Sequence, residues 1–372
     1  MKAKCIVFTI LAVFLVLAMN LDSEAVSTRG IDKVRNKEVL NTEDLQIIDD
    51  FIAEAVKELV KNKDFTSISK IRAIILSKQS AQAQYAEQFY ESAYKHISNA
   101  LKASGEITPE DLRAKIMANL LILVDSLENI KLADLAIESL KDQSIIVRYW
   151  AVHILTNPSI TKQINADKSA SSKLTDRITE QLKGAVEQAN PDMLASIAQF
   201  AVDIGTPKGE DLLLKIVDMR ISKYANWTVE YELLDNSILK LLCSKTGSTE
   251  SNRSAVFASR FGQLYSYVIQ RYIKGADLLN DTQKQQLASV LTGVEKFCIS
   301  KLLGVPQSVI KKAVERDNHT GLLLEHSRLL GDKTRAGKLV SKLNFDYGKN
   351  PDGSKRIAPL ALPEPPNTGT SE

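Results

Sequence analysis

The chain has 372 residues, 44% of them hydrophobic and 25% charged, with a formal net charge of +3. That length can bury one or two cores, and the composition is ordinary for a globular protein. Low aromatic and glycine content does not suggest a β-rich chain; the net charge is small for this size, and no concentrated basic stripe of the kind a nucleic-acid binder presents is expected. The first stretch reads as a targeting segment. Lys2 and Lys4 give a positive start, Cys5 to Met19 is a continuous apolar run, and Ser23-Glu24-Ala25 puts small residues where a signal peptidase reads. Cleavage is expected after Ala25. The alternative is an uncleaved anchor, but the run is short against the roughly 20 apolar residues a spanning helix needs. With no later membrane-spanning segment, the mature chain is expected to be soluble and secreted or periplasmic.

Residues 26–41 are charged and weakly patterned and read as a flexible leader. Leu45, Ile48, Ile52, Ala55, Val56 and Leu59 then mark an amphipathic helix, with Thr42, Glu43 and Asp44 suited to its start. Further helices are expected over 65–78 and over 82–102, the latter carrying Tyr85, Phe89, Tyr94 and Ile97. Thr108-Pro109-Glu110-Asp111 offers a capping hydroxyl, a proline for the first helical position and two acids. Leu112, Ile116, Leu120, Val124 and Leu127 follow at helical spacing.

The most organised stretch is Ala133 to Leu155. A short helix with Leu132, Leu135, Ile137 and Leu140 near one face meets the polar turn Lys141-Asp142-Gln143-Ser144. A second helix follows, carrying Val147, Trp150, Ala151, Ile154 and Leu155 at helical spacing. This stretch resembles a HEAT-repeat hairpin; Asp142, Val147, Arg148, Ala151 and Leu155 match its pattern. The resemblance implies an all-α chain folded as an α-solenoid. Asp142 and Arg148 are a candidate ligand-binding pair; the resemblance implies instead that they bond turn backbone and neighbouring repeats.

Beyond the hairpin, Asn157-Pro158, Asn190-Pro191 and Thr206-Pro207 repeat the cap-plus-proline signal. Helices are expected over 169–189, 193–204, 209–219, 229–243, 255–273, 282–303, 307–316 and 321–330. The pair 193–204 and 209–219 lies about 60 residues beyond the first hairpin, longer than one HEAT repeat of about 40–47 residues, so the repeat is irregular. Strand signals are nearly absent. From Asn350 onward, five of the ten prolines fall in the last 23 residues without apolar periodicity. The expected organisation is therefore a helical solenoid over 42–345, with a candidate division at 205/206, and a disordered proline-rich tail over 346–372.

Chemistry-bearing patterns are sparse. His96, His153, His319 and His326 form no metal-binding motif. Gly331 to Lys338 looks like a phosphate loop, but it has one residue too many between its glycines and Leu339 where a magnesium-holding hydroxyl belongs. Glu230, Glu232 and Asp235 read as a solvated acidic face. Cys243 and Cys298 fall at similar heights on the two outer helices of a three-helix run, at 1.5 Å rise per residue. They are a candidate disulfide, or else two buried free thiols. Tyr224 and Trp227, near a turn, are candidates for a contact surface. No cofactor, metal or nucleic acid is called for. The expected function is an exported helical-repeat binding or scaffold protein with a protein partner, its oligomeric state open. The alternative is a helical enzyme acting on cell-envelope or extracellular polymers. A deep acidic pocket with raised carboxyl pKa values would favour the enzyme, and a broad groove without them the binder.

Overall fold

The computed structural model describes residues 26–247 and 253–366, so the expected signal segment lies outside the described residues. Among the described residues the chain is helical, with no strand beyond two isolated bridges. It divides into two units, the first ending at Gln163 and the second beginning at Ile164.

The first unit contains α1 (Arg29–Val34), α2 (Thr42–Lys61), α3 (Phe65–Ser77), α4 (Ala83–Ser104), α5 (Glu110–Leu127), α6 (Ala133–Ser139) and α7 (Ile145–Leu155). The leader is not loose: Val26, Ile31 and Val34 are buried, and α1 packs on α2. Helix α2 also packs on α3, α4 and α5, while α5 packs on α7. The apolar stripe expected for α2 is the buried one, from Ile48 to Leu59. Its cap is Asn41 rather than Thr42: Asn41 accepts the Asp44 N–H and Asp44 accepts the Asn41 N–H, so two orphan donors are satisfied reciprocally. In α4, Tyr85 and Phe89 are stacked and fully buried, each worth about 1.5–3 kcal/mol of apolar burial. The proline signal before α5 plays out differently from expectation. The Thr108–Pro109 peptide is cis, and Pro109 precedes the first helical residue without a side-chain cap.

Helix α8 (Pro158–Ala166) spans the division. The second unit continues with α9 (Ser172–Ala185), α10 (Pro191–Asp203), α11 (Pro207–Ala225), α12 (Leu234–Thr246), α13 (Ser254–Lys274) and α14 (Asp281–Val294). A π-helical turn (Glu295–Ile299) then leads into α15 (Ser300–Leu303), followed by α16 (Val309–Glu315), α17 (His319–Leu330) and α18 (Lys338–Leu343). Asn190 and Thr206 cap α10 and α11 with proline just behind them, as their sequence signals predict. Because α9, α10 and α11 pack among themselves and onward to α12 and α13, the division falls at 163/164 and not at 205/206.

Helix α13 is the axis of this unit, touching α11, α12, α14, α17 and α18. It is buried on every side, which a single apolar stripe does not produce: Gln263, Ser266, Gln270 and Arg271 are buried along with Phe257, Phe261, Leu264 and Val268. What covers the polar side is the proline-rich tail. Residues 347–356 turn back on themselves, with the Tyr347 N–H donating to Arg356 O and the Arg356 N–H to Gly348 O. The chain then runs extended to Pro366, with Leu362 only 1% exposed. The expected disorder is thus not found up to Pro366. Prolines prevent a helix there, but an extended segment can still find partners through its main chain.

Candidate functional site: a charge-locked loop and the tail it meets

Between α11 and α12, residues 226–233 form a loop built on two buried ion pairs. The Arg220 guanidinium, from the last turns of α11, grips Asp235 of α12 with two bonds of 2.8 Å, Nε to Oδ1 and Nη2 to Oδ2. Its third nitrogen, Nη1, donates to Glu230 O at 2.9 Å. Arg271, near the end of α13, donates to Glu232 Oε1 at 3.0 Å from Nη2, and from the same nitrogen toward Val229 O. All four side chains are at most 5% exposed. The Tyr224 hydroxyl donates to Asp235 Oδ2 at 2.7 Å, and both guanidiniums lie 5.9 Å from the centre of its ring.

The electrostatics follow from this packing. Burial pulls the Arg220 guanidinium toward neutrality, but the Asp235 charge and hydrogen bonds outweigh it and hold the group above its usual range. Burial, reinforced by the Asp235 carboxylate, pushes the Tyr224 phenol far up, so it stays a donor. Charges buried this deeply persist only when paired and hydrogen-bonded, and here the carbonyls of Val229 and Glu230 complete the set. The backbone is fixed in consequence: Trp227 and Tyr231 sit at φ 60° and 54°, left-handed values that bulky side chains rarely adopt.

Two readings of this region are corrected. Tyr224 is not on a surface: it is 0% exposed, because it fills the space between two guanidiniums. Glu232 and Asp235 are not solvated, since each faces an arginine inside the unit. Trp227 is half-buried, with Arg271 5.4 Å from its ring centre and its indole N–H donating to Pro363 O at 3.1 Å. The same loop leaves Tyr231 59% and Leu233 48% exposed.

Trp227 joins a row of groups that read the main chain of the tail. Gln263 accepts the Leu360 N–H at 2.8 Å and donates to Leu360 O at 3.2 Å. One turn-pair along α13, Gln270 accepts the Leu362 N–H at 2.8 Å. Lys274 donates to Leu362 O at 2.8 Å and pairs with Glu364 at 2.6 Å. Gln270 also donates to Ser266 Oγ at 2.8 Å, and that hydroxyl lies 2.8 Å from His326 Nε2. Burial depresses the His326 pKa to about 4, so the imidazole is neutral and shares its Nε2 hydrogen bond with the Ser266 hydroxyl. Behind the tail's start, Tyr347 packs on Gly262 of α13. A Cβ built there would lie 2.6 Å from the phenol oxygen, so only glycine permits this approach.

The remaining predicted residues lie apart from this loop. Asp142 accepts both Arg113 nitrogens, at 2.6 and 2.9 Å, and the Ser144 N–H at 2.8 Å. Burial alone would raise its pKa, but these bonds, Arg113 first, hold it below the usual carboxylate range. Arg148 Nη1 donates to the carbonyls of Asp142 and Gln143, each at 2.7 Å. Val147, Ala151 and Leu155 are 0% exposed beneath the turn. Cys243 and Cys298 are free and buried, and the Cys298 thiol donates to Leu239 O of α12 at 4.0 Å. The neighbouring Cys243 thiol and burial together hold Cys298 well above the ordinary thiol range. Among the described residues no group of side chains is arranged to hold a metal ion, and no helix is long and apolar enough to cross a membrane.

Sequence reasoning missed Arg220, Arg271, Gln263 and Gln270, although two of them leave a trace. Arg220 continues the buried positions Leu213, Ile216 and Val217 toward Tyr224, and Arg271 continues Phe257, Phe261, Leu264 and Val268. A cation on an apolar stripe needs a buried anion, which points to Asp235 and Glu232. Compared with family models, with curated proteins and with solved structures, the chain gave no match.

Proposed function

We propose that this is an exported helical binding or scaffold protein that engages a protein partner through the loop 226–233. The observation that carries the reading is the contrast within that loop. Two buried ion pairs and two left-handed aromatic residues fix its backbone, yet Tyr231 and Leu233 project into solvent. A preformed loop loses little conformational entropy on association, and exposed tyrosine is a favoured interface residue. The HEAT-like pattern of 133–155 and the packing of α2 on α4 and α5 on α7 support the helical-repeat scaffold part of the reading. The alternative, an enzyme acting on extracellular polymers, requires a carboxylic acid poised in a cleft. Burial does raise the pKa of Glu295, but its two oxygens accept the N–H groups of Ile310 and Lys311 at 2.7 and 2.9 Å, a capping role for α16.

Photocrosslinking in the cells that make the protein tests this. A photoreactive residue replacing Tyr231 is expected to give one discrete protein adduct, and one replacing the exposed Glu187 none. Leu233→Asp, at a position 48% exposed, is expected to abolish the adduct while the thermal melt shifts little. Equal adducts from both positions, or none from 231, would reject the reading.

A further inference from the structure

The chain's charge is unevenly distributed. Residues 328–356 hold eight Lys or Arg against three Asp, a net +5 in a chain whose whole net charge is +3, so the remainder is slightly acidic. The fold gathers part of this excess into one concavity of about 760 Å³, lined by Leu303, Arg328, Arg335, Ala336, Lys338, Ser341 and Lys342. Four of those residues are cations and none is an acid. Arg335, Lys338 and Lys342 are all exposed, and the charge of Arg335 acts on the Asp332 carboxylate of its own turn.

Arg328 is set differently from the other three. Its Nε donates to Glu325 Oε2 at 2.6 Å and its Nη2 donates to Glu325 Oε1 and to Gln307 Oε1, the last at 2.8 Å. Glu325 is buried behind it, so the guanidinium is oriented before any ligand arrives. The turn that carries Arg335 is fixed too. Asp332 accepts the N–H groups of Thr334 and Arg335, and the Asp332 N–H donates to Arg335 O. Lys338, Ser341 and Lys342 share one face of α18 at i, i+3 and i+4. Leu303 and Ala336 give the concavity an apolar wall.

From this arrangement we infer a binding site for a small polyanion, a molecule carrying two or more phosphate or carboxylate groups on a compact body. The Arg335 guanidinium can match an oxyanion in bidentate geometry, Arg328 keeps its Nη1 donors free of Glu325 and Gln307, the lysines add point charges, and Ser341 offers a neutral donor. The volume is that of a small-molecule site, and an apolar wall favours an organic ligand over a bare ion. The phosphate-loop likeness of Gly331 to Lys338 plays no part. The segment forms a turn closed by a Gly331–Ala336 bridge, and the cations that matter come from three separate elements.

Isothermal titration calorimetry of the full chain at low salt is the test, with pyrophosphate, tripolyphosphate and citrate as probes. One saturable site is expected for at least one probe, weakening steeply as salt rises. The double variant Lys338→Glu/Lys342→Glu, both positions exposed, is expected to weaken it at least tenfold with an unchanged circular dichroism spectrum. A preference for the phosphates over citrate, or the reverse, would identify the ligand's acid groups. The inference is overturned if no probe gives saturable heat, or if the double variant binds as well as the parent. It is equally overturned if a single-stranded oligonucleotide binds with length-dependent affinity while the small anions do not, which would mark an extended track instead of a bounded site.

Discussion

At Arg220 and Asp235 the energetics are asymmetric, because two charges that satisfy each other inside the unit become a liability when one is removed. Asp235→Ala strands the guanidinium, and Tyr224 loses its acceptor as well. Urea denaturation is expected to show a loss of about 3–5 kcal/mol. Arg220→Met/Asp235→Leu, which removes both charges, is expected to lose less than the single variant. A double variant less stable than Asp235→Ala would mean the charges are individually solvated and the loop is held by something else. Arg113 and Asp142 form a shallower version of the same motif, and there sequence reading found only half the pair. The HEAT-like pattern supplies Asp142 and Arg148, whereas Arg113 stands 29 positions earlier in another helix, with nothing local to flag it.

Among the elements, the tail departs most from its sequence reading. Residues 357–366 have no apolar period, and periodicity is the signal that assigns structure from sequence. Their partners, Gln263, Gln270, Lys274 and Trp227, are 88–136 positions away and bond to main chain, which leaves no trace in the tail's own composition. Helices behave otherwise: α2, α4, α5 and α13 are legible because each carries an apolar stripe within one stretch of chain. Residues 229–233 of the loop fall in the helix expected over 229–243, since buried Val229 and Leu234 suit either state. Deleting residues 357–372 removes the burial of Leu362 and several hydrogen bonds. A loss of about 3 kcal/mol is expected, or roughly 6–12 °C in melting temperature for a unit of this size. A melt unmoved by the deletion would show that the tail rests on α13 without stabilising it.

For the molecule as a whole, His326 ties stability to pH. Its folded pKa of about 4 lies below the ordinary 6.5, so the unfolded chain takes up the proton first. The contribution is therefore full above pH 6.5 and is lost as pH falls toward 4, by up to about 1.4 kcal/mol per pH unit. Glu295, raised by burial, acts in the opposite sense at the lower end of that window. His326→Gln, which keeps a hydrogen-bond partner for Ser266, is expected to flatten the fall in melting temperature between pH 6.5 and 4.5. An unchanged slope would place the acid sensitivity elsewhere. The same hydrogen-bonded chain runs from His326 through Ser266 and Gln270 to Leu362, and so has a bearing on the order in which the protein is made. Lys274 and Glu364 are 90 residues apart, which is roughly 5–18 s of synthesis at about 5–20 residues/s. Throughout that interval α13 exists without the segment that answers Gln263 and Gln270. The helices of the first unit are all made early, whereas α13 of the second waits for residues 360–364. A nascent chain arrested at residue 356 therefore holds every helix from α1 to α18 but has two glutamine amides still facing water along α13.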